Sequence, residues 1–297
     1  MENPYDYANK QLASKDILWA TDMKQQQIGD CYLASTMFGL AATKKGSDIL
    51  RSRIKRHPPD DDLPQDGWTV KIQVPGYDEN GVFTELEKEV IVGQEYINGI
   101  TQGDDPSLYS IYEMAYGIAN GDEELGNGGW SEEVLDSFGT IPTAKYYNVS
   151  LIDAAGPNNA TTESGNKTTR YGFEKKAMQS IIEAAQSEDN TVVVTTFSEN
   201  YFFDEYTHKA EVEATYLNDH YFEEEDYVNI VAGHAYTVLY ADEEGLTVRN
   251  PHGSNPGSGH PPLMDNRTVP ETITFSWQDA SKVFGAFEVG DLSKYED

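Results

Sequence analysis

The chain contains a single cysteine, Cys31, which lies in the segment QQQIGDCYLA at 25–34. One thiol can form neither an internal disulfide nor a metal site built from several thiolates, so a fold held by such cross-links is excluded. An apolar core must therefore stabilise the protein. The 297 residues, 38% of them hydrophobic, are sufficient for one large domain or for two lobes.

The charge of the chain limits its partners. Asp and Glu total 51 and Lys and Arg total 21, a formal net charge of −30. Binding to nucleic acid or to an anionic membrane requires a basic face, and the only basic cluster is RSRIKRH at 51–57. Neither partner is predicted, and the excess of carboxylates favours a solvated surface over cation binding. No apolar run of about 18 residues and no signal peptide is found, which predicts a cytoplasmic protein.

Hydrophobic periodicity predicts two helices in the first half of the chain. One covers 31–45 and is ended by Gly46. The other covers 106–120, with Asp105 as its N-terminal cap and Gly121 at its exit. Strands are fewer here than in the second half, so the first half is expected to be mainly helical.

The second half is predicted to be rich in strands after a helix at 173–186. Short runs of β-branched and aromatic residues predict four strands in this half, at 191–197, 234–240, 245–250 and 272–277. The same pattern predicts two strands in the first half, at 68–74 and 88–93. Between two strands of the second half, the acidic and aromatic segment 199–229 is predicted to be an insertion that lies outside the core and flanks a cleft. The alternative is an extra hairpin whose aromatic side chains pack on the second half.

Cys31 is placed where a reactive thiol would be expected. It begins a helix, and the helix dipole and free N–H groups there favour a thiolate. His234 begins a strand, and the tight turn DEEG at 242–245 returns the chain to Asn250, so a hairpin brings both to one end of a sheet. One ring nitrogen of His234 could take the thiol proton while the other donates to Asn250. We therefore predict a thiolate–imidazolium pair, the alternative being a core cysteine and a buried histidine.

Five segments occur in a characteristic order: QQQIGDCYLA at 25–34, IYEMAYGIANG at 111–121, GHAYTV at 233–238, VRNPHG at 248–253 and FSWQDASKVF at 275–284. Together they resemble the calpain-type cysteine proteases, which have the papain-like fold. The first segment is similar to the family's Gln-x-x-x-Gly-Asp-Cys-Trp-Leu motif, and the fourth to its Arg-Asn-Pro-Trp-Gly motif. The resemblance extends over nearly the whole chain.

This resemblance implies a fold and a reaction. The fold is α+β and papain-like, with a first lobe over 1–139, a second lobe over 140–297 and an extended peptide bound between them. The reaction is hydrolysis of a peptide bond through an acyl-enzyme. The implied roles are nucleophile for Cys31, general base and acid for His234, orienting residue for Asn250 and oxyanion donor for Gln25.

Other positions are matched to the substrate. The glycines that correspond to backbone contacts with an extended peptide are Gly128, Gly129 and Gly233, although each could be an ordinary turn glycine. Tyr32 and His252, also assigned to the substrate site, stand where the family usually has tryptophan. In the family, the second of these tryptophans shields the His–Asn hydrogen bond from water. His252 would shield it less well and is itself a titratable group, so the pH dependence of activity is expected to differ.

The resemblance also implies calcium, with Asp22 at one ligand position and Asp104 or Asp105 at another. Two carboxylates would need carbonyl and water oxygens to complete six to eight ligands. No EF-hand pattern occurs, so the C2-like and penta-EF-hand domains of the animal enzymes are not expected. Calcium-independent activity is the alternative.

Two other classes of function stay open. A transglutaminase or amidase uses a similar Cys–His pair but usually has Asp at the position of Asn250. A catalytically inactive relative could keep the cleft to bind peptide without turnover, which Tyr32 and His252 would favour. The sequence leaves the oligomeric state open.

Overall fold

A computed structural model describes residues 25, 29–57, 67–93, 108–121, 125–139, 141–148, 169–170, 173–198, 203–204, 206, 208–217, 223–256 and 268–295. In this part of the chain, no helix is long and apolar enough to cross a membrane.

The first helix is central because it is apolar on every side. Helix α1, Cys31–Ala41, is buried from its second residue to its last. The predicted continuation to residue 45 is wrong, because α1 ends at Ala41. Thr43 is the N-cap of a second helix, α2, Lys44–Arg53, and its Oγ1 accepts a hydrogen bond from Gly46 N at 2.9 Å. Gly46 therefore lies inside a helix and does not end one. An N-capping threonine in extended conformation explains the break.

Helices α3, Leu108–Asn120, and α4, Ser131–Phe138, pack with α1 against a small antiparallel sheet. Its strands are β1, Ile54–His57, β2, Gly67–Tyr77, and β3, Phe83–Gly93, in the order β1-β2-β3. The strands predicted at 68–74 and 88–93 are thus confirmed with longer bounds. Gly121 has a φ of 101°, which confirms it as the residue where α3 ends, while Asp105 lies outside the described residues.

Most of the remaining described strands form one antiparallel sheet, with eight strands in the order β4-β13-β7-β10-β11-β12-β8-β9. Their bounds are β4 Thr143–Tyr147, β7 Asn190–Thr196, β8 Lys209–Leu217, β9 Glu223–Val231, β10 Ala235–Ala241, β11 Gly245–Pro256, β12 Thr268–Ser276 and β13 Phe284–Asp291. A separate short pair joins β5, Thr169–Arg170, to β6, Phe173–Glu174. All four strands predicted in this half are confirmed.

Helices α5, Lys175–Ala185, and α6, Trp277–Val283, belong to a second apolar cluster built on the large sheet. Trp277, Phe275 and Phe287 are almost fully buried there, and side chains of this size each contribute roughly 1.5–3 kcal/mol on burial. The two clusters and their different sheets make the protein an α+β structure of mixed helix and antiparallel sheet.

In its described residues, the segment 199–229 is a hairpin that packs on the second apolar cluster, and not an insertion outside the core. Its strands β8 and β9 are paired residue by residue and extend the large sheet beyond β12. Alternate side chains, Ala210, Val212, Ala214, Val228 and Ile230, are buried in the second cluster. The period-two burial of these small and branched residues outweighs the acidic composition of the segment. Among its aromatic residues with described side chains, Phe203 is buried, whereas Tyr206 and Tyr227 are exposed.

Polar contacts also join the first half of the chain to the second half, in addition to the packing of α1 on β10. Arg53 of α2 donates to the hydroxyl of Tyr295, at 2.7 Å from Nη2, and forms an ion pair with Glu87 at 3.0 Å. Glu288 of β13 accepts a hydrogen bond from the N–H of Glu132 at 3.0 Å, in the first turn of α4. A carboxylate at a helix N-terminus is favourable, since it accepts from an otherwise unsatisfied N–H.

Candidate active site

Cys31 is the first residue of α1, and the helix places it beside the start of β10. Ser35, one turn further, donates from Oγ to Ala235 O at 2.9 Å, and Thr237 Oγ1 donates to Ser35 O at 2.6 Å. These two hydrogen bonds fix the helix against the strand. Because Ala235 directly follows His234, they bring the N-terminus of α1 to the residues that flank the histidine.

Cys31 is a free cysteine of intermediate exposure. Loss of solvent raises its pKa, a hydrogen bond from the Ala235 backbone lowers it, and the negative charge of Asp30 raises it again. The net direction is upward. In the substrate-free protein the thiol is therefore favoured over the thiolate.

His234 and Asn250 meet as the hairpin of β10 and β11 predicts. His234 Nε2 lies 3.0 Å from Asn250 Oδ1, and both residues are buried. The antiparallel register, with Thr237 opposite Arg249, brings the two residues to the same end of the sheet. This is the juxtaposition that the DEEG turn predicted.

A chain of hydrogen bonds determines which ring nitrogen of His234 carries the proton. Pro270 O can only accept, so Asn255 donates to it through Nδ2, at 2.6 Å, and its Oδ1 accepts from Asn250 Nδ2 at 3.0 Å. The amide oxygen of Asn250 therefore faces His234, and it also accepts from the N–H of His252 at 3.0 Å. Nε2 must donate to this oxygen, which leaves Nδ1 of the neutral imidazole free to act as a base.

The backbone of His234 is held by Thr196 on the neighbouring strand β7. Thr196 Oγ1 accepts from His234 N at 2.8 Å, and Thr196 N donates to His234 O at 2.9 Å. The hydroxyl also lies 2.9 Å from Val231 O. The ring is thus positioned through both its backbone and its Nε2 atom.

His252, at a position where the resemblance implied tryptophan, covers the His234–Asn250 hydrogen bond. The two imidazole rings are stacked, with centroids 5.0 Å apart and planes 10° from parallel. Tyr236 lies edge-on to His234 at 4.9 Å between centroids. Burial lowers the pKa of His234 to about 4, the hydrogen bond with Asn250 opposes this shift, and charge on His252 adds to it.

These pKa directions differ from the predicted thiolate–imidazolium pair. A thiol with a raised pKa and an imidazole with a lowered pKa are both neutral near pH 7. Desolvation is the largest cause for both groups, and it disfavours the charged form of each. The helix N-terminus that suggested a thiolate does not offset this burial in the substrate-free protein.

Gln25 is buried, and its N–H donates to Pro251 O at 2.8 Å. Pro251 lies between Asn250 and His252, so this hydrogen bond places Gln25 next to the part of β11 that carries both. Residues 26–28, which connect Gln25 to the nucleophile segment, lie outside the described residues.

The three glycines assigned to substrate have different surroundings. A side chain at Gly129 would place Cβ 2.6 Å from the ring of Tyr32, so only glycine fits there. Gly128 has a φ of 80° and open space above its Cα, which leaves the backbone accessible. Gly233 also has a positive φ, and its N–H donates to Phe197 O at 2.9 Å. Tyr32, adjacent to Cys31, is buried under Gly129.

A cavity of about 250 Å³ opens between Tyr32, Gly128 and the sheet of the first cluster. Its acidic lining consists of Glu85, Glu133 and Asp136. Burial and the neighbouring carboxylates raise the pKa of Asp136 to about 6. The cavity therefore adjoins the positions assigned to substrate and is negatively charged at neutral pH.

The residues predicted to bind calcium, Asp22, Asp104 and Asp105, all lie outside the described residues. Within the described part of the chain, no group of three or more His, Cys, Asp or Glu side chains is arranged to hold a metal ion. Calcium stays a prediction from the resemblance.

Sequence reasoning missed Thr196, Asn255 and the buried carboxyl groups of Asp30 and Glu113. Thr196 and Asn255 act on His234 and Asn250 through hydrogen bonds that span an adjacent strand and a bulge between Arg249 and Ser254. No local sequence pattern marks either residue. Asp30 directly precedes Cys31 in the chain, and no local pattern indicates that its carboxyl group is buried.

No protein-family model matches the sequence, and no curated protein matches it significantly.

Proposed function

We propose that this protein is a calpain-type cysteine endopeptidase with a papain-like arrangement of two lobes. Cys31 would attack the carbonyl carbon of a peptide bond while His234 Nδ1 takes the thiol proton. The protonated histidine would then protonate the leaving amine, and water would hydrolyse the acyl-enzyme. The lobes correspond to the two apolar clusters, with the substrate cleft at the start of α1.

One observation carries the proposal: the directed hydrogen-bond chain from Pro270 through Asn255 and Asn250 to His234 Nε2. A buried histidine with a purely structural role could use either nitrogen. Here the chain leaves Nδ1 unprotonated, and α1 places the only thiol of the protein next to Ala235, the residue that follows this histidine. A base and a nucleophile with an orienting residue are the parts that acyl transfer needs.

The neutral resting pair is compatible with this reaction. If Cys31 and His234 are both neutral before substrate binds, the proton passes from sulfur to Nδ1 as the sulfur attacks, as in general-base catalysis. Gln25 and the Cys31 N–H would donate to the developing oxyanion, and loss of one such donor costs roughly 10²–10³-fold in rate.

The first experiment is hydrolysis of an unfolded protein and of fluorogenic peptides by the wild-type chain and single variants. Cys31→Ala should abolish cleavage, and His234→Ala should lower kcat/KM by about 10²–10⁴-fold, the contribution of a positioned base. Gln25→Ala should reduce kcat more than it raises KM, because its hydrogen bond strengthens in the transition state. Full activity of Cys31→Ala would refute the proposal.

The same variants separate the alternatives. An electrophilic thiol probe can react only at Cys31, so mass spectrometry of the adduct reports this site without ambiguity. Release of ammonia from a glutamine peptide without chain cleavage would indicate a transglutaminase or amidase. Peptide binding by the wild type, with neither cleavage nor ammonia release, would indicate an inactive binding protein.

The calcium requirement is tested by hydrolysis with calcium and with chelator, repeated in Asp22→Ala. A calcium-dependent enzyme would lose activity in chelator and in the variant. Equal rates in all three conditions, with no heat of calcium binding, would show that the lobes are aligned without calcium. The contacts of Arg53 with Tyr295 and of Glu288 with α4 are candidates for such built-in alignment.

A further inference from the structure

Two carboxyl groups are buried directly behind the nucleophile. Asp30, which immediately precedes Cys31, has no solvent exposure, and Glu113 of α3 is 1% exposed. The hydroxyl of Tyr109, one helical turn before Glu113, donates to Asp30 Oδ2 at 2.6 Å. The side chain of Asp30 does not cap α1, although Asp30 occupies the N-cap position. It points instead towards α3.

The hydrogen bonding of these groups is incomplete if both are ionised. Asp30 Oδ1 and Glu113 Oε2 are buried, and no N–H or hydroxyl group of the described residues donates a hydrogen bond to either oxygen. None of the ion pairs formed among the described residues involves either carboxyl. The two carboxyls lie within hydrogen-bonding reach of each other. Two buried and adjacent negative charges without a cation would be strongly destabilising.

We propose that Asp30 and Glu113 share one proton, and that the pair is a positioning element for Cys31. The proton supplies the donor that the two carboxyls lack, and the resulting hydrogen bond fastens the N-terminus of α1 to α3. It also limits the charge behind the thiol to a single negative charge. The fastening would hold the Cys31 N–H in place as an oxyanion donor, a role that rests on the proposed peptidase function.

The electrostatic environment indicates which group holds the proton. Burial raises the pKa of Glu113, with the hydrogen bond and charge of Asp30 as further causes, so we place the shared proton on Glu113. This assignment agrees with the Tyr109 hydroxyl donating to Asp30. The other titratable groups that the charge of Asp30 influences among the described residues are Tyr109 on α3 and Cys31 and Tyr32 on α1. Asp30 raises the pKa of all three.

The shared proton is tested by stability, which requires no activity. Glu113→Gln keeps a donor towards Asp30 without a titrating proton. In the wild type, the folded state retains a proton that the unfolded state releases above the ordinary glutamate range. The folding equilibrium constant of Glu113→Gln relative to wild type should therefore rise with pH, by up to about tenfold per unit between about pH 5 and pH 8. Glu243→Gln, an exposed turn residue, is the matched control.

If the ratio of the folding equilibrium constants of Glu113→Gln and wild type stays constant over this pH range, the proposal of a shared proton is wrong. If Glu113→Gln does not fold, the wild-type protein alone decides: its infrared spectrum at pH 7 should contain the carbonyl band of a buried protonated carboxyl group. Absence of that band would equally overturn the proposal. Neither measurement depends on whether the protein cleaves peptides, so their failure and the failure of the proposed function are distinguishable.

The effect on Cys31 is tested by alkylation of the single thiol against pH. Glu113→Gln leaves the charge on Asp30 and should keep the wild-type inflection. The double variant Asp30→Asn/Glu113→Gln removes the charge, so its inflection should shift to lower pH. An unchanged inflection in the folded double variant would refute the electrostatic role of the pair, and a shifted inflection in Glu113→Gln alone would show that the proton is not held by Glu113.

Discussion

The imidazole rings of His252 and His234 are stacked face to face, with centroids 5.0 Å apart and planes inclined by 10°. His252 is exposed on its other side, so it forms the cover between the buried His234–Asn250 hydrogen bond and solvent. The imidazole of His252 can gain a positive charge, whereas the indole of a tryptophan at this position could not. Charge on His252 lowers the pKa of His234, in addition to the larger effect of burial.

The acid limb of activity should respond to this cover. The base is functional when His234 is neutral, so the limb of kcat/KM follows its pKa, which burial lowers to about 4. His252→Trp removes the charge but keeps the cover, and should move the limb to higher pH. His252→Ala removes both and should move it further, because water then stabilises the imidazolium. Profiles of kcat/KM from about pH 3 to pH 8 are the measurement, and a limb that moves to lower pH in either variant would contradict this account.

Asn255 should affect catalysis although it does not contact the nucleophile. Asn255→Ala leaves Asn250 Nδ2 without its acceptor, and the amide can then rotate away from His234. Misplacement of a catalytic group by about 1 Å costs roughly 10²-fold in rate, so kcat/KM should fall towards that limit while Cys31 stays reactive to alkylation. Asn80→Ala, in the exposed turn after β2, is the control. Unchanged kcat/KM in a folded Asn255→Ala protein would show that Asn250 is oriented without it.

The thiol of Cys31 should titrate above the range of a free cysteine. Burial and the charge of Asp30 raise its pKa, so the alkylation rate should inflect above about 8.5. In His234→Ala the inflection should change little, because neutral His234 does not stabilise a thiolate. An inflection below about 7.5 that vanishes in His234→Ala would instead restore the ion pair predicted from the sequence.

The hydroxyl of Tyr295 should contribute to global stability. It accepts two hydrogen bonds from the buried guanidinium of Arg53, at 2.7 and 3.2 Å, and so joins the C-terminal segment to α2. Tyr295→Phe leaves these donors without that acceptor and should lower the free energy of unfolding by about 1.5–3 kcal/mol, the usual contribution of hydrogen bonds to charged groups. Tyr206→Phe, at 84% exposure, should have no measurable effect. Urea denaturation measures both variants, and equal stability of Tyr295→Phe and wild type would contradict the prediction.

Local sequence patterns determined much of the fold. Four strands of the large sheet, β7, β10, β11 and β12, follow from runs of β-branched and aromatic residues. The hairpin of β10 and β11 follows from a four-residue turn between two of them. The meeting of His234 and Asn250 could therefore be predicted. Period-two burial in β8 and β9 was also present in the sequence, but acidic and aromatic composition concealed it. The helix break at Thr43 was missed because a capping side chain outweighed continuous helix propensity.

The remaining features depend on contacts between residues that are distant in the sequence. Asp30 and Glu113 are brought together only when α1 packs against α3, and Asn255 reaches Asn250 only because β11 bulges. The protonation states of Cys31 and His234 likewise depend on the tertiary structure. The sequence placed Cys31 at a helix N-terminus, which favours a thiolate, whereas burial of both Cys31 and His234 favours the neutral forms. Periodicity and turn chemistry act between near neighbours and can be read along the chain, but desolvation depends on what the folded protein places around a group.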